Sequence, residues 1–148
     1  MNAEATRSTG QFATFRVDNL FFGIEVLKVQ EVLRYQEMTR VPLAPKVIEG
    51  LINLRGQIVP ALDMRRRLAL PARSGQESPM NMVVRSEDGA VSLLVDEIGD
   101  VLEVEPSAYE AAPDNLPLEH RQLIDGVYKL EAGLLLVLNT ERVLQICS

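Results

Sequence analysis

The chain has 148 residues, 47% of them hydrophobic, which is enough for a core in one domain or in two small halves folded as a unit. Fifteen Lys and Arg against 21 Asp and Glu give a formal net charge of -6, so the chain as a whole repels phosphate backbones, which argues against general nucleic-acid binding. The lone cysteine, Cys147, excludes an internal disulfide and fits a reducing cytosol.

Met1 to Gly10 is polar and small, with no apolar segment. It is expected to be a disordered tail and not a signal peptide. Phe15 and Val17 then alternate with Thr14 and Arg16, Asp18-Asn19 reads as a turn, and Leu20, Phe22 and Ile24 resume the alternation. Alternation on both sides of a turn pair is the mark of a hairpin, because successive strand side chains point to opposite faces. Val26, Val29 and Leu33 fit helical as well as strand spacing, and a helical turn followed by a strand to Tyr35 is predicted, with these side chains mostly in the core. Pro45 to Glu49 is predicted to make one helical turn, with Pro where a helix can start.

Gly50 to Leu54, Arg55-Gly56 and Gln57 to Leu62 read as another hairpin, followed by a short helix that Asp63 caps, reaching Leu68. Pro71 to Pro79 reads as a linker. A third hairpin surrounds Glu87-Asp88-Gly89, and Ile98 to Glu105 is a further strand. Pro106 to Gln122, with three prolines, is predicted to be a long loop carrying a helical turn at most. Ile124 to Leu130, a turn near Ala132-Gly133, and Leu134 to Leu138 make the last hairpin; Asn139 then caps a helix to Leu144. The longest aliphatic run, Leu134 to Leu138, is far below the roughly 20 residues of a membrane helix, so no membrane insertion is expected. About ten short strands at this spacing point to an all-β barrel or sandwich.

The chain also repeats itself. Displaced by 69 positions, Phe15–Leu33 lies on Val84–Leu102 without gaps; displaced by 76, Ile48–Leu68 lies on Ile124–Leu144. Arg16 meets Arg85, Gly50 meets Gly126, Leu62 meets Leu138, and the cap Asp63 meets Asn139. Two stretches in the same order, with turns and caps aligned, imply two copies of one five-stranded unit related by an approximate two-fold. The first copy spans about residues 11–70 and the second about 80–144. A barrel of that size has a thin core, so packing the copies together would bury apolar surface that each leaves exposed.

No catalytic constellation is visible. His120 is a single histidine in a Pro-rich loop, where a surface role is the commoner one, and it has no partner at metal-ligand spacing. There is no nucleophile elbow, phosphate loop or dinucleotide fingerprint, so no catalytic residue, cofactor or metal is expected. Asp96, Glu97, Asp100, Glu103 and Glu105 read as a solvated strand face, and Arg65-Arg66-Arg67 as a solvated helix flank in preference to a phosphate patch. Arg55-Gly56 reads two ways: a simple turn, or a rigid tip that presents an arginine to a partner's carboxylate. The residues alone leave both open.

The segment Phe22 to Leu68 closely resembles the CheW family of chemotaxis coupling proteins, most specifically in VLKVQEVL (Val26–Leu33) and GLINLRGQIVPALDMR (Gly50–Arg65). LLVDEIGDVLEV (Leu93–Val104) and IDGVYKLEAGLLLVLNTERVL (Ile124–Leu144) continue the likeness in order, so that about Gln11 to Leu144 is covered. The resemblance implies two five-stranded SH3-like barrels about a shared interior, with strands exchanged between them. It implies a non-enzymatic, cytoplasmic adapter that links the cytoplasmic tips of methyl-accepting chemoreceptors to the regulatory domain of the histidine kinase CheA. By the same resemblance a receptor helix tip lies in a groove between the barrels and meets Val29, Glu31, Gly50, Asn53, Leu54, Arg55 and Gly56, with Gly50 allowing a close backbone approach. Two rivals stand beside it: an adapter of a twitching-motility or developmental array, and a small-ligand-binding barrel.

Overall fold

The computed structural model describes residues 10–72 and 78–145. The expected tail before Gly10, the middle of the expected 71–79 linker, and Cys147 lie outside the described residues. Alternating side chains build the hairpin β1 (Gln11–Val17) and β2 (Leu20–Glu25), whose turn residue Asp18 takes a φ of 57°, a conformation Asp tolerates better than most. A 3-10 turn at Val26–Lys28 leads into β3 (Val29–Leu33), as the mixed spacing predicts. These apolar residues are only half-buried, however, because β3 lies at a sheet edge.

The next hairpin, β4 (Ile48–Leu54) and β5 (Gln57–Asp63), turns on Arg55 and Gly56 with φ of 51° and 86°. Positive φ at both central positions is the turn whose twist matches the flanking strands. The predicted helical turn at Pro45–Glu49 is reduced to one hydrogen-bonded turn with no helix. The Ile48 amide donates to the Pro45 carbonyl at 2.9 Å, closing a single turn, and cross-strand pairing with Leu62 then draws Ile48 into β4. Helix α1 (Met64–Arg67) follows, with the Asp63 carboxylate accepting from the Arg65 amide at 3.0 Å.

The second half comprises β6 (Met80–Ser86), β7 (Gly89–Val95), β8 (Glu97–Glu103), β9 (Tyr109–Glu110), helix α2 (Leu118–Arg121), β10 (Ile124–Leu130), β11 (Gly133–Leu138) and helix α3 (Thr140–Val143). The long Pro-rich stretch therefore holds a 3-10 turn at Pro106–Ala108, a two-residue strand and α2, more than the single turn predicted.

The strands form a six-stranded sheet in the order β8-β1-β2-β11-β10-β9 and a five-stranded sheet in the order β3-β6-β7-β5-β4. Replace each strand of the second sheet by its repeat counterpart and β8-β1-β2-β11-β10 results, strand for strand. The likeness extends to irregularities. Register shifts fall between Ile48 and Gly50 and again between Ile124 and Gly126. The bridge from Thr39 to Leu51 is matched by the pairing of Glu110 with Val127. The fold is thus all-β: two SH3-like barrels related by an internal two-fold. The sheet containing β1 and β2 is called the first barrel below and the sheet of β3 to β7 the second.

Each barrel holds a small core of its own. Phe12, Val104, Leu135 and Val137 fill the first; Ile52, Leu54, Val59 and Val83 fill the second. The largest cluster lies between them, where Phe15, Phe22 and Ile24 from the first barrel meet Leu62, Met82, Leu93 and Val95 from the second. Each such side chain contributes about 1.5–3 kcal/mol when fully buried, so the seam is where most of the burial energy resides.

Arginines of α1 tie it to its surroundings, and Arg67 reaches across to α3. Arg65 makes a two-pronged pair with Asp96 at 2.6 and 3.1 Å, both side chains largely buried. Arg66 meets Glu49 at 2.8 Å, and Arg67 donates to the carbonyls of Val143 and Arg142 at 2.9 Å, capping the C-terminal end of α3. Burial lowers the Arg67 pKa from its ordinary value. The arginine run is therefore neither a phosphate patch nor a merely solvated flank, because each guanidinium has a different intramolecular acceptor. Asp96 likewise leaves the expected solvated face, while Glu97, Asp100, Glu103 and Glu105 are exposed as expected. His120 is corrected too: α2 tucks it beneath the surface, 8% exposed, with Nε2 3.0 Å from the Leu68 carbonyl.

Candidate functional site: the rim of the second barrel

In the second barrel the two sheet edges, β3 and β4, are not joined by ladder hydrogen bonds. A side-chain contact spans the gap instead: the Arg55 guanidinium, at the β4–β5 tip, donates to the Glu31 carboxylate on β3. Arg55 has left-handed backbone, and the Asn53 side chain accepts from the Gly56 amide at 2.9 Å, fixing the turn. Arg55 remains mostly exposed. An exposed ion pair contributes little to stability, about 0–1 kcal/mol, so its geometry suits a surface that also meets charged groups from outside.

Val29 stands two residues before Glu31 on β3, half-buried against the seam. Its carbonyl and that of Leu27 both accept from Arg85 Nη1 at 2.9 Å, which pins the start of the edge strand. Beside this rim lie Leu27, 65% exposed, Ile58, 58% exposed, and Val32, 41% exposed. Exposed aliphatic groups flanking a fixed Arg–Glu pair can dock an apolar helix face while the pair reads its polar groups.

Five of the seven sequence-chosen residues, Val29, Glu31, Asn53, Arg55 and Gly56, are thus brought to one rim. The other two are not on its surface. Leu54 is buried with Ile52 and Val59. Gly50 does permit a close backbone approach, but by this chain: a Cβ there would lie 2.7 Å from the Thr39 carbonyl. Gly126 plays the same part in the first barrel, 2.7 Å from the Glu110 carbonyl. Leu27, Ile58 and Arg85 were missed. Ile58 alternates with the buried Val59, and Arg85 is the repeat partner of Arg16, so a signal existed for both.

The comparisons agree with this architecture. A family model described as a CheW-like domain matches residues 11–147. The chain belongs to the CheW family. Chemotaxis protein CheW of Klebsiella aerogenes is 32% identical over 141 residues, spanning 95% of this chain and 85% of that protein. Its namesake from Bacillus subtilis is 33% identical over 130 residues, spanning 88% and 83%. The crystal structure of scaffolding protein TtCheW from Thermoanaerobacter tengcongensis superposes with a TM-score of 0.83 at 22% identity, covering 93% of each chain, which establishes the shared fold. This chain is accordingly a chemotaxis adapter of the CheW family. No helix among the described residues is long and apolar enough to cross a membrane.

Proposed function

We propose that this adapter is non-enzymatic and cytoplasmic, and couples the cytoplasmic tips of methyl-accepting chemoreceptors to the regulatory domain of the histidine kinase CheA. The observation that carries the reading is the Arg55–Glu31 pair, held across the open edge of the second barrel, with Leu27, Val32 and Ile58 exposed on the adjoining stretches of chain. On this reading the receptor helix packs on Val29 and the flanking aliphatic groups. Arg55 and Glu31 exchange part of their mutual pairing for polar groups of the helix, Asn53 and Gly56 hold the tip, and Gly50 and Leu54 support it from beneath. Two related but unequal barrels give the protein two distinct faces, so it can contact unlike neighbours in a closed array. Individual contacts can then be weak, since array assembly raises the effective concentration.

Calorimetric titration with the CheA regulatory domain and, separately, with a receptor cytoplasmic hairpin tests the proposal. Saturable binding to both is expected. Arg55→Ala should weaken the receptor titration about tenfold, leave the kinase titration unchanged and leave the melting temperature near that of the parent. Absence of binding to either partner up to ~1 mM refutes the adapter assignment; an Arg55→Ala protein with parental receptor affinity refutes the rim.

A further inference from the structure

A cavity of about 410 Å³ opens at the first barrel, remote in sequence from the β4–β5 rim. Its wall carries three aromatic rings in a chain. Phe12 and Tyr128 stand 5.5 Å apart between centroids, and Tyr128 meets Tyr109 edge-on at 5.2 Å. The Tyr109 hydroxyl donates to the Asp125 carbonyl at 3.0 Å, which fixes that ring. Two carboxylates, Glu25 and Asp125, and one ammonium, Lys28, border the same space. Asp125 accepts from Asn139 Nδ2 through one oxygen at 2.8 Å, and Glu25 meets Lys28 only at 3.8 Å.

Burial raises the Tyr109 pKa and Asp125 raises it further; for Tyr128 burial comes first, then Tyr109 and Glu25. Aromatic faces bounded by carboxylates favour a weakly hydrated organic cation, which gains from the ring quadrupole and the charge together. The repeat counterparts in the second barrel, Asn81 for Phe12 and Ile52 for Tyr128, carry no aromatic ring, so the chemistry belongs to the first barrel alone.

We propose that this cavity is a binding site for an alkylammonium or guanidinium group, presented either as a small free molecule or on the side chain of a partner polypeptide. Lys28, the cation already near Glu25, is its internal competitor. The inference is independent of the adapter reading, and its failure would leave the rim assignment untouched.

Two of the three tyrosines line the site and the chain has no tryptophan, so tyrosine emission of the full-length protein reports on it directly. The probes are choline, its uncharged carbon isostere 3,3-dimethylbutanol, and N-acetyl-arginine amide. Saturable millimolar binding of at least one cation, with none by the isostere, is expected. Preference for choline assigns the site to a free small cation, and preference for the arginine amide to a polypeptide side chain. Glu25→Gln, at the border and outside the core, should weaken binding roughly tenfold. Lys28→Met should tighten it roughly threefold, an effect that an anion site would reverse. No saturation by either cation up to ~50 mM, equal binding of the isostere, or weaker binding by Lys28→Met would each overturn the proposal.

Discussion

The two barrels share strand order, register shifts and helix caps, yet fill their interiors differently. In the first barrel β1 offers Phe12 and β2 offers Gly23, where an added Cβ would come within 3.2 Å of the Phe12 Cβ and 3.1 Å of a Leu135 methyl. The matching places in the second barrel are Asn81 and Ser92, both fully buried. The Ser92 hydroxyl donates to Asn81 Oδ1 at 2.7 Å, and Asn81 Nδ2 donates to the Arg34 carbonyl at 3.1 Å. One barrel is filled by a large ring over a glycine, the other by a small polar pair with its hydrogen bonds made. This topology demands filled volume and satisfied polar groups, and is indifferent to which chemistry supplies them.

Emptying both positions has the largest expected consequence. Phe12→Ala should cost about 3–5 kcal/mol in urea unfolding, because it removes a ring from a core too small to collapse around the gap. Asn81→Ala should cost less, about 1–3 kcal/mol, the penalty of leaving Ser92 and the Arg34 carbonyl unpaired. If Asn81→Ala proves the costlier, the polar pair organises its barrel more than the ring does.

A subtler test exchanges the fillings. Gly23→Ser alone should destabilise by about 1–3 kcal/mol through crowding against Phe12 and Leu135. Adding Phe12→Asn should recover part of that loss, because the two positions touch and their effects are not additive. Strict additivity would show that the barrels are not interchangeable at these sites.

The smallest effect concerns the tyrosines, which the second barrel lacks at matching places. Burial, then Tyr109 and Glu25, raise the Tyr128 pKa above its ordinary 10.0. The folded protein therefore holds that proton longer than the unfolded chain, so the associated stability is intact below about pH 10 and declines as pH rises through the folded value. In urea titrations between pH 9 and about 11, Tyr128→Phe should flatten the alkaline decline while leaving neutral stability nearly unchanged. An unaltered slope would mean that Tyr128 does not contribute to it.

Much of the rim was legible because turn chemistry is local. Arg55-Gly56 reads as a tip wherever it occurs between alternating strands, and resemblance placed Glu31 beside it. Leu54 and Gly50 were chosen with the same motif, but motif membership does not separate a residue that touches a partner from one that supports the fold. Burial does, and burial depends on the other strands. Leu27 is not legible in the sequence, because a lone exposed aliphatic residue carries no pattern of its own; Ile58 does carry one, its alternation with the buried Val59. The aromatic cavity was invisible for a related reason: Phe12, Tyr109 and Tyr128 are widely separated in the chain, and none follows a motif.

The hairpins, both helix caps and the doubling of the unit follow from the order of residues, since these depend on side-chain period, turn geometry and self-similarity, all of which act over a few residues or repeat in order. Long-range packing sets the rest: β1 and β2 join a sheet with β8 to β11, Arg65, Arg66 and Arg67 bind three different acceptors, and His120 is buried. Those outcomes depend on which distant segments share a surface. A one-dimensional pattern shows which faces must be covered, and the packed chain alone shows what covers them.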